Sequence, residues 1–230
     1  MPWLRAEMHT HSSDDPKDGY IAHSSRQLID KAHAEGYDVL ALTLHEKVLS
    51  GEKLAALQRY AKSRGIVLIA GCEARIGPKD VLLYNITEAE RSDIRTFDDL
   101  RALKARRKRS GKDMLVVAPH PYFFFPAFSS ALMGRLEENI DVFDAIEFSM
   151  FYNNLLNLNR KALAVAKRFR KPVVGNSDLH ILSQIGYTYT LIDAERDPGS
   201  VIRAIKAGKV RLKTRPLPLW TFVKMFFKMI

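Results

Sequence analysis

The chain has 230 residues, of which 47% are hydrophobic, and it carries a formal net charge of +10. This length allows one large core or two small ones, and the hydrophobic fraction excludes general disorder. The single cysteine, Cys72, excludes an intrachain disulfide framework and is typical of a reducing compartment. Since no secretion signal and no membrane-spanning apolar run are visible, we expect a cytoplasmic protein.

The positive charge indicates an anionic partner such as nucleic acid, a phosphate ester or a membrane surface. Much of the excess lies in RALKARRKRSGK, residues 101–112, which is predicted to form the end of a helix. Cations are common near the C-terminal dipole of a helix and on its solvated face. We therefore favour a solvated helix face over a dedicated nucleic-acid patch for this segment.

Short apolar runs alternate along the chain with longer segments of helical period. The predicted strands, in chain order, are WLRAEMHTH, DVLALTLH, IVLIAGCEA, DVLLYNI, MLVVAPH, DAIEFSM and PVVGNSD. Helical segments such as SSRQLIDKAHAEG, GEKLAALQRYAKSRG and NLLNLNRKALAVAKRFR lie between most of them. Apolar strands separated by helices favour parallel strands in a closed or nearly closed α/β barrel. We expect one barrel domain over residues 1–215 and a helical tail over residues 216–230.

Polar side chains follow these strands at the points where the strands end. The residues concerned are His9, His11, His45, Glu73, His120, Asp178 and His180. Because the C-terminal ends of barrel strands form one rim, we expect these side chains to lie close together. The spacing of His9 and His11, repeated by Asp178 and His180, places each pair on one face of a strand, about 7 Å apart.

Each of these residues also has a structural explanation. A lone histidine after an apolar strand is usually a core or loop residue, and His9 and His11 could be a surface pair near a chain terminus. Coincidence at five strand ends is improbable, so the pattern predicts a metal cluster. Cys72 should face away from it, because it neighbours Glu73 on the same strand. We interpret His23 and His33 as structural or surface residues.

The ordered set HxH, H, E, H, DxH resembles the PHP (polymerase and histidinol phosphatase) family of metal-dependent phosphoesterases, from residue 7 to about residue 214. The resemblance implies a distorted TIM-like (β/α)7 barrel with two or three Mn, Zn or Fe ions at the C-terminal ends of the strands. It implies one ion held by His9, His11, Glu73 and Asp178. Glu73 would bridge to a second ion held with His120, and His45 and His180 would help to bind a third.

Two positions depart from the family pattern. Many members have an acidic residue or a histidine shortly after HxH, often before a glycine, and here Asp14, Asp15 and Asp18 compete for that role. We favour Asp18, which precedes Gly19. Many members also place a histidine on the strand after the bridging glutamate, where this chain has Asp80. An aspartate there leaves open whether two or three ions are bound.

The expected reaction is hydrolysis of a small phosphomonoester or short nucleotide by a metal-activated water. Imidazole and carboxylate ligands without thiolate suit Zn, Mn or Fe. The candidate catalytic residues are Glu73, Asp178 and Arg75, with Arg75 holding the anion or being an exposed loop residue. The aromatic run YFFFPAF, residues 122–128, could stack on a substrate ring or pack over the barrel mouth. The alternatives are an exonuclease on longer nucleic acid and a non-catalytic, metal-stabilised binding module.

The segment LPLWTFVKMFFKMI, residues 217–230, predicts an amphipathic helix with a wide apolar arc. It is too short to span a bilayer. The helix could pack on its own barrel, dock on a neighbouring subunit or lie in a membrane interface. Few lysines and a wide apolar arc favour protein contact, so we expect packing or a homo-oligomer and no membrane binding.

Overall fold

A computed structural model describes residues 3–123 and 130–228, with side chains up to residue 223. The strands are β1 (Leu4–Glu7), β2 (Val39–Leu42), β3 (Val67–Ile76), β4 (Lys79–Tyr84), β5 (Leu115–Ala118), β6 (Ala145–Ser149), β7 (Val173–Asn176), β8 (Thr188–Ile192) and β9 (Val210–Thr214). The helices are α1 (Ser25–Ala34), α2 (Gly51–Ser63), α3 (Glu88–Ser92), α4 (Phe97–Arg109), α5 (Arg135–Glu138), α6 (Asn159–Arg168), α7 (Pro198–Lys206) and α8 (Leu219–Lys228).

All nine strands form one sheet, in the order β7-β6-β5-β4-β3-β2-β1-β8-β9. The pairings make β4 and β8 antiparallel to both of their neighbours, while the other strands share one direction. The sheet curls until β7 approaches β8 and β9, so it is a nearly closed barrel. The expected α/β, distorted TIM-like barrel is confirmed, with two strands beyond the seven predicted.

The barrel seam between β7 and the last two strands depends on a glycine. The Gly175 N–H donates to Thr190 Oγ1 at 2.8 Å, and Thr190 Oγ1 donates to Gly175 O at 3.0 Å. A Cβ atom on Gly175 would lie 2.4 Å from the Leu212 side chain. A residue without a side chain is therefore required where the ends of the sheet meet.

Apolar side chains fill both the barrel interior and the layers between sheet and helices. The interior cluster includes Leu4, Ala6 and Ile192, and helix α7 contributes Val201 and Ile205 to it. The outer layers use the alternate strand residues, which pack on α1 and α2 in one cluster and on α4 and α6 in another. Strands buried on both faces explain why their sequences are almost wholly apolar.

Strand β4 corrects the expectation of uniformly parallel strands. Only two residues, Gly77 and Pro78, connect β3 to β4, and Gly77 has a φ of 60°, which favours glycine. The hairpin pairs Arg75 with Asp80. As a result, the first residues of β4, and not its last ones, lie at the rim formed by the ends of β3 and β5.

Helix α6 begins at Asn159, later than the predicted helical segment, which started at residue 154. The side chain of Asn153 accepts hydrogen bonds from the N–H groups of Leu155 and Leu156, which hold this stretch as a turn. Helix α8 lies within the segment predicted to form the tail helix. Before it, Leu217 is buried and donates its N–H to Tyr152 O at 2.9 Å. Among the described residues, no helix is long and apolar enough to cross a membrane.

Candidate metal centre

The structure brings the predicted rim residues together. His9 and His11 follow β1, His45 follows β2, Glu73 lies on β3, His120 follows β5, and Asp178 and His180 follow β7. A single bridge between His45 and Glu73 extends the β2–β3 pairing up to the cluster. Three overlapping groups of side chains result, and within each group the candidate ligand atoms lie within 4.8 Å of one another.

The first group consists of His9, His11, Glu73 and Asp178, all of them buried. His9 Nε2 lies 3.2 Å from Glu73 Oε2 and 3.3 Å from Asp178 Oδ1. His11 Nε2 lies 3.4 Å from each of the same two oxygens. Two imidazole nitrogens and two carboxylate oxygens thus converge on one point, as a four-ligand site requires.

The second group is Glu73, Asp80 and His120. His120 Nε2 lies 3.1 Å from Glu73 Oε1, the oxygen that the first group does not use. The two oxygens of Glu73 therefore point to different groups. Asp80 reaches this group because the β3–β4 hairpin reverses the chain, which gives it a place among the potential ligands.

The third group is His11, Asp18, His45 and His180. His180 Nε2 lies 2.9 Å from Asp18 Oδ2, and His45 Nδ1 lies 3.3 Å from the same oxygen. The three competing aspartates after HxH thus occupy different positions. Asp18 belongs to the group, whereas Asp14 forms an ion pair with Lys53 and a hydrogen bond with Ser25.

Several carboxylates and a carbonyl hold the opposite nitrogens of the histidine rings. His9 Nδ1 lies 2.9 Å from Glu147 Oε2, and His11 Nδ1 lies 2.9 Å from Asp15 Oδ2. His180 Nδ1 lies 3.0 Å from its own neighbour's carbonyl, Asp178 O. When Nδ1 donates its proton to these oxygens, Nε2 presents a lone pair to the cluster. This is the ring orientation of metal-ligating histidines.

Two buried atoms at the centre have no hydrogen-bond partner in the described part of the chain. They are His11 Nε2 and Asp178 Oδ1, which lie 3.4 Å apart in the first group. An unsatisfied buried polar atom costs on the order of 1–3 kcal/mol. Nearby, Asp178 and His120 have positive φ angles of 49° and 26°, which are strained for residues other than glycine. Unpaired atoms and strained backbone fit a site built around a cation.

The charges of the cluster depend strongly on one another. Burial lowers the pKa of His11, but contacts with Asp15, Asp178 and Glu73 outweigh burial and raise that pKa to about 9. His120 behaves alike: burial lowers its pKa, and the contact with Glu73 raises it to about 9. Burial raises the pKa of Glu73, but the surrounding histidines lower it well below its usual value. Without a metal ion, protons on the histidines balance the carboxylates.

Sequence reasoning missed the residues that support the cluster. Glu147 is fully buried on β6 and also accepts hydrogen bonds from the Asn176 side chain and the His120 N–H. Glu7 is fully buried on β1, where burial raises its pKa to about 8, and it accepts a hydrogen bond from Ser177 Oγ at 2.6 Å. A carboxylate inside an apolar strand, as in DAIEFSM and WLRAEMHTH, was the available signal.

A cavity of about 270 Å³ opens over the cluster. Lys17, Tyr20, Arg75, Phe123 and Phe151 line it together with the cluster residues. Arg75 Nε lies 3.1 Å from Asp80 Oδ1, and 48% of the Arg75 side chain is exposed. The predicted anion-holding arginine is therefore at the site, in contact with a candidate ligand.

Other predicted residues lie around this cavity or away from it. Phe123 packs against Phe151, with ring centroids 5.6 Å apart, whereas residues 124–128 of the aromatic run lie outside the described part of the chain. Cys72 faces the outer apolar cluster, as expected. His23 is buried and contacts the carbonyl of His11 at 3.0 Å, and His33 is exposed on α1.

Comparison with known proteins places this geometry in context. A family model described as PHP-associated matches residues 157–210, a segment that includes Asp178 and His180. None of the curated proteins matches the chain. Among solved structures, PsfC from Pseudomonas syringae PB-5123 superposes with a TM-score of 0.63 at 18% identity, covering 100% of this chain and 98% of that protein.

Two further structures share the fold. One, from Bifidobacterium adolescentis, has been assigned as a metal-dependent phosphoesterase (TM-score 0.53, 14% identity, 96% of this chain and 99% of that one). The other is an amidohydrolase from Chromobacterium violaceum (TM-score 0.52, 17% identity, 96% of each chain). These superpositions show that the proteins share the barrel fold. The match of residues 157–210 to the PHP-associated model agrees with the resemblance to the PHP family that the motif set indicates.

Proposed function

We propose that this protein is a metal-dependent hydrolase that cleaves a small phosphomonoester or a short nucleotide. The observation that carries the proposal is the shared carboxylate of Glu73, whose two oxygens face two different ligand groups. A carboxylate in this position would hold two cations close to each other. Adjacent cations of this kind are used by many phosphoester hydrolases.

The ligand atoms suit transition-metal ions such as Mn, Zn or Fe. Neutral imidazole and carboxylate groups are their usual ligands, and the described part of the cluster contains no thiolate. Bound divalent ions would polarise the phosphoryl group and lower the pKa of a water molecule. The residues that would hold them are His9, His11, Glu73 and Asp178 in the first group.

The remaining ligand sets follow from the other two groups. Glu73, Asp80 and His120 would hold a second ion, and His11, Asp18, His45 and His180 would hold a third. Because His11 and Glu73 each belong to two groups, occupation of one site changes the charge at the next. This sharing supports binding of two or three ions as one unit.

The chain itself supplies the means to bind and orient a phosphate. Lys17 and Arg75 place two positive charges on the cavity wall, and Tyr20, Phe123 and Phe151 supply aromatic surface. A cavity of about 270 Å³ fits a small ester better than a polymer. The phosphoryl group would enter between these cations and the floor formed by Glu73 and Asp178.

The proposal is tested with protein that has been stripped of metal and then reloaded with Mn²⁺ or Zn²⁺. We expect at least two ions per chain and hydrolysis of a nucleoside monophosphate. Glu73→Gln should remove most hydrolysis while the circular dichroism spectrum stays unchanged, because the substitution deletes the shared charge and little volume. Glu52→Gln, at an exposed position on α2, is the matched control and should keep full activity.

The substrate panel separates the alternatives. Cleavage of long single-stranded DNA in preference to the monophosphate would favour an exonuclease. Cleavage of amides without any phosphoester would favour the chemistry named for the Chromobacterium violaceum neighbour. A protein that binds no metal after reloading, with its fold intact, would contradict the proposal outright.

A further inference from the structure

A second charged region lies on the outer wall of the barrel. Strands β1, β8 and β9 pair antiparallel, with Arg5 beside Leu191 and Leu191 beside Arg211, and with Tyr189 beside Lys213. Their alternate residues, such as Leu4 and Ile192, belong to the interior cluster. The residues between them, such as Arg5, Arg211 and Lys213, therefore point outward. We call the outward residues Arg5, Tyr187, Tyr189, Arg211, Lys213 and Arg215 the β9 face.

The β9 face borders a cavity of about 670 Å³ that is distinct from the one over the metal cluster. Its lining includes Arg5, Lys31, Lys213 and Arg215 and one acidic residue, Glu35. Glu35 is already paired with Lys31 at 2.6 Å. The cavity therefore has a clear excess of positive charge.

The cations of β9 have no acidic partners among the described residues. Arg211, Lys213 and Arg215 form no ion pair there, and all three are exposed. The part of helix α4 around residues 101–104, where the helix overlaps the basic segment 101–112, differs. There Arg101 pairs with Asp141, and Lys104 pairs with Asp144. Unpaired cations in a row are available to an anionic ligand.

Aromatic rings hold the guanidinium groups of this face in place. Arg5 Cζ lies 4.1 Å from the centroid of Tyr189, and Arg211 Cζ lies 4.1 Å from that of Trp3. Arg215 Cζ lies 4.6 Å from the centroid of Tyr187. A stacked guanidinium loses little rotamer entropy when its N–H edge binds a phosphate. The Arg5 Nε–H is also buried and has no hydrogen-bond partner among residues 3–123 and 130–223.

The spacing and shape of the face select the ligand. Arg211 and Lys213 alternate along β9, and Arg215 directly follows the strand, so successive Cα atoms of the three are about 7 Å apart, close to the spacing of phosphates in an extended nucleic-acid strand. The open cavity beside the strand can accept a flexible chain. Interleaved cations and aromatic rings are the usual means of binding single strands.

We propose that the β9 face binds single-stranded nucleic acid, with the phosphates along β9 and a nucleotide in the adjoining cavity. This goes beyond the proposed hydrolysis, because the face shares no residue with the metal cluster. Binding should therefore not require metal ions. The surface would hold a polymer on the protein whether or not the rim cleaves it.

The test is fluorescence anisotropy of a labelled oligothymidylate of about twelve nucleotides, with the full-length protein in a metal chelator. The triple substitution Arg211→Ala, Lys213→Ala and Arg215→Ala should weaken binding at least tenfold. It should also reduce the slope of log affinity against log salt by about 2, since roughly 0.7 counterions are released for each single-strand phosphate neutralised. The single variant Lys213→Glu, at an exposed position, should weaken binding in the same direction.

A matched control removes the same charge from α4 and the turn that follows it. The control replaces Lys108, Arg109 and Lys112 by alanine. These residues are exposed and form no ion pair among the described residues, and the triple variant should bind nearly as well as the parent. Equal weakening by both triple variants would show that only net charge matters and overturn the proposal. The proposal would also be overturned if the protein bound phosphatidylserine vesicles through β9 but did not bind the oligonucleotide. It would likewise be overturned if the folded parent protein bound no oligonucleotide at low salt.

Discussion

The rim cluster and the β9 face carry their charges in opposite ways. At the rim, His9, His11 and Glu73 are buried within hydrogen-bond distance of other ionisable groups, and each depends on the charge of its neighbours. On the β9 face, Lys213 and Arg215 are exposed and form no ion pair with any acidic residue that the structure describes. Buried charges are costly unless paired, whereas exposed charges cost little. Single substitutions should therefore cause large losses of function at the rim and smaller, graded losses on the β9 face.

The largest effect should follow the loss of one residue from the first ligand group. His9→Ala and Asp178→Ala should each lower hydrolysis by more than about 100-fold, the upper range for supporting residues of metal sites. Both should weaken binding of the same ion, because both side chains converge on it. Titration with Mn²⁺ followed by activity assays checks this.

His33→Ala, on the exposed face of α1, is the control and should leave both quantities unchanged. If either His9→Ala or Asp178→Ala kept full activity and metal content, its role as a ligand would be wrong. If single substitutions on the β9 face caused equal losses of activity and metal content, the contrast between the two regions would also be wrong.

The second prediction uses pH to separate the regions. The pKa of His11 is raised from 6.5 to about 9, so its protonated form stabilises the metal-free fold by on the order of 3 kcal/mol. This stability is fully present below pH 6.5 and is lost as the pH rises through about 9. Thermal unfolding of chelated protein across this range should show a falling midpoint.

Metal binding needs the neutral imidazole, so metal affinity should rise over the same range. A midpoint that fell equally with and without metal would contradict this account. The β9 face shares no residue with the metal cluster. Oligonucleotide binding should therefore stay constant over this pH range while metal affinity at the rim changes.

A smaller effect is expected for Glu147→Gln. This substitution removes the charge that holds His9 Nδ1 but leaves the ligands in place. Metal affinity should fall by about 10- to 100-fold, as is usual for the carboxylate behind a metal-bound histidine. Isothermal titration with Zn²⁺ measures this fall, and Glu137→Gln, outside the cluster, serves as the control. An unchanged affinity would show that Glu147 only fills space.

The smallest effect concerns the tail that follows the β9 face. Deleting residues 217–230 should lower stability by about 2 kcal/mol, because Leu217 is buried against Met150 and Phe151, or else change the oligomeric mass. Metal content should stay the same. Thermal unfolding and light scattering report these quantities. Strong binding of the intact protein to anionic liposomes, lost on deletion, would instead favour a membrane role, since 70% of Trp220 is exposed.

The parts of the molecule that were predictable are those with strong apolar patterning. The runs around Val39, Val67 and Val116 formed buried strands, and the polar residues that follow strands met at one rim. Strands β8 and β9 were not predicted, because TYTLI and VRLKT are half polar and each has one side that faces solvent. The spacing of Lys209, Arg211, Lys213 and Arg215 was the missed signal for a cationic strand face.

The finer features of the site depend on contacts between distant segments. The hairpin at Gly77 decides which end of β4 meets the rim, and a reading of strands as uniformly parallel could not supply this. Asp15 and Asp18 are separated by only three positions, so spacing alone could not show that one faces the ligand group and the other supports His11 and His45. Glu147 lies 138 positions from the histidine that it holds.

The seam of the barrel makes one part of the site easier to open than the rest. At Gly175, a threonine hydroxyl takes the place of a backbone ladder between strands. Segments held by few backbone hydrogen bonds undergo local unfolding at a lower free energy than ladder-paired strands. Amide hydrogen exchange should therefore be faster at this edge of β7 than in β2 or β3. Because the candidate ligands Asp178 and His180 both follow β7, such an opening would move these two while those on the other strands stay fixed, and so give ions a route for exchange without global unfolding.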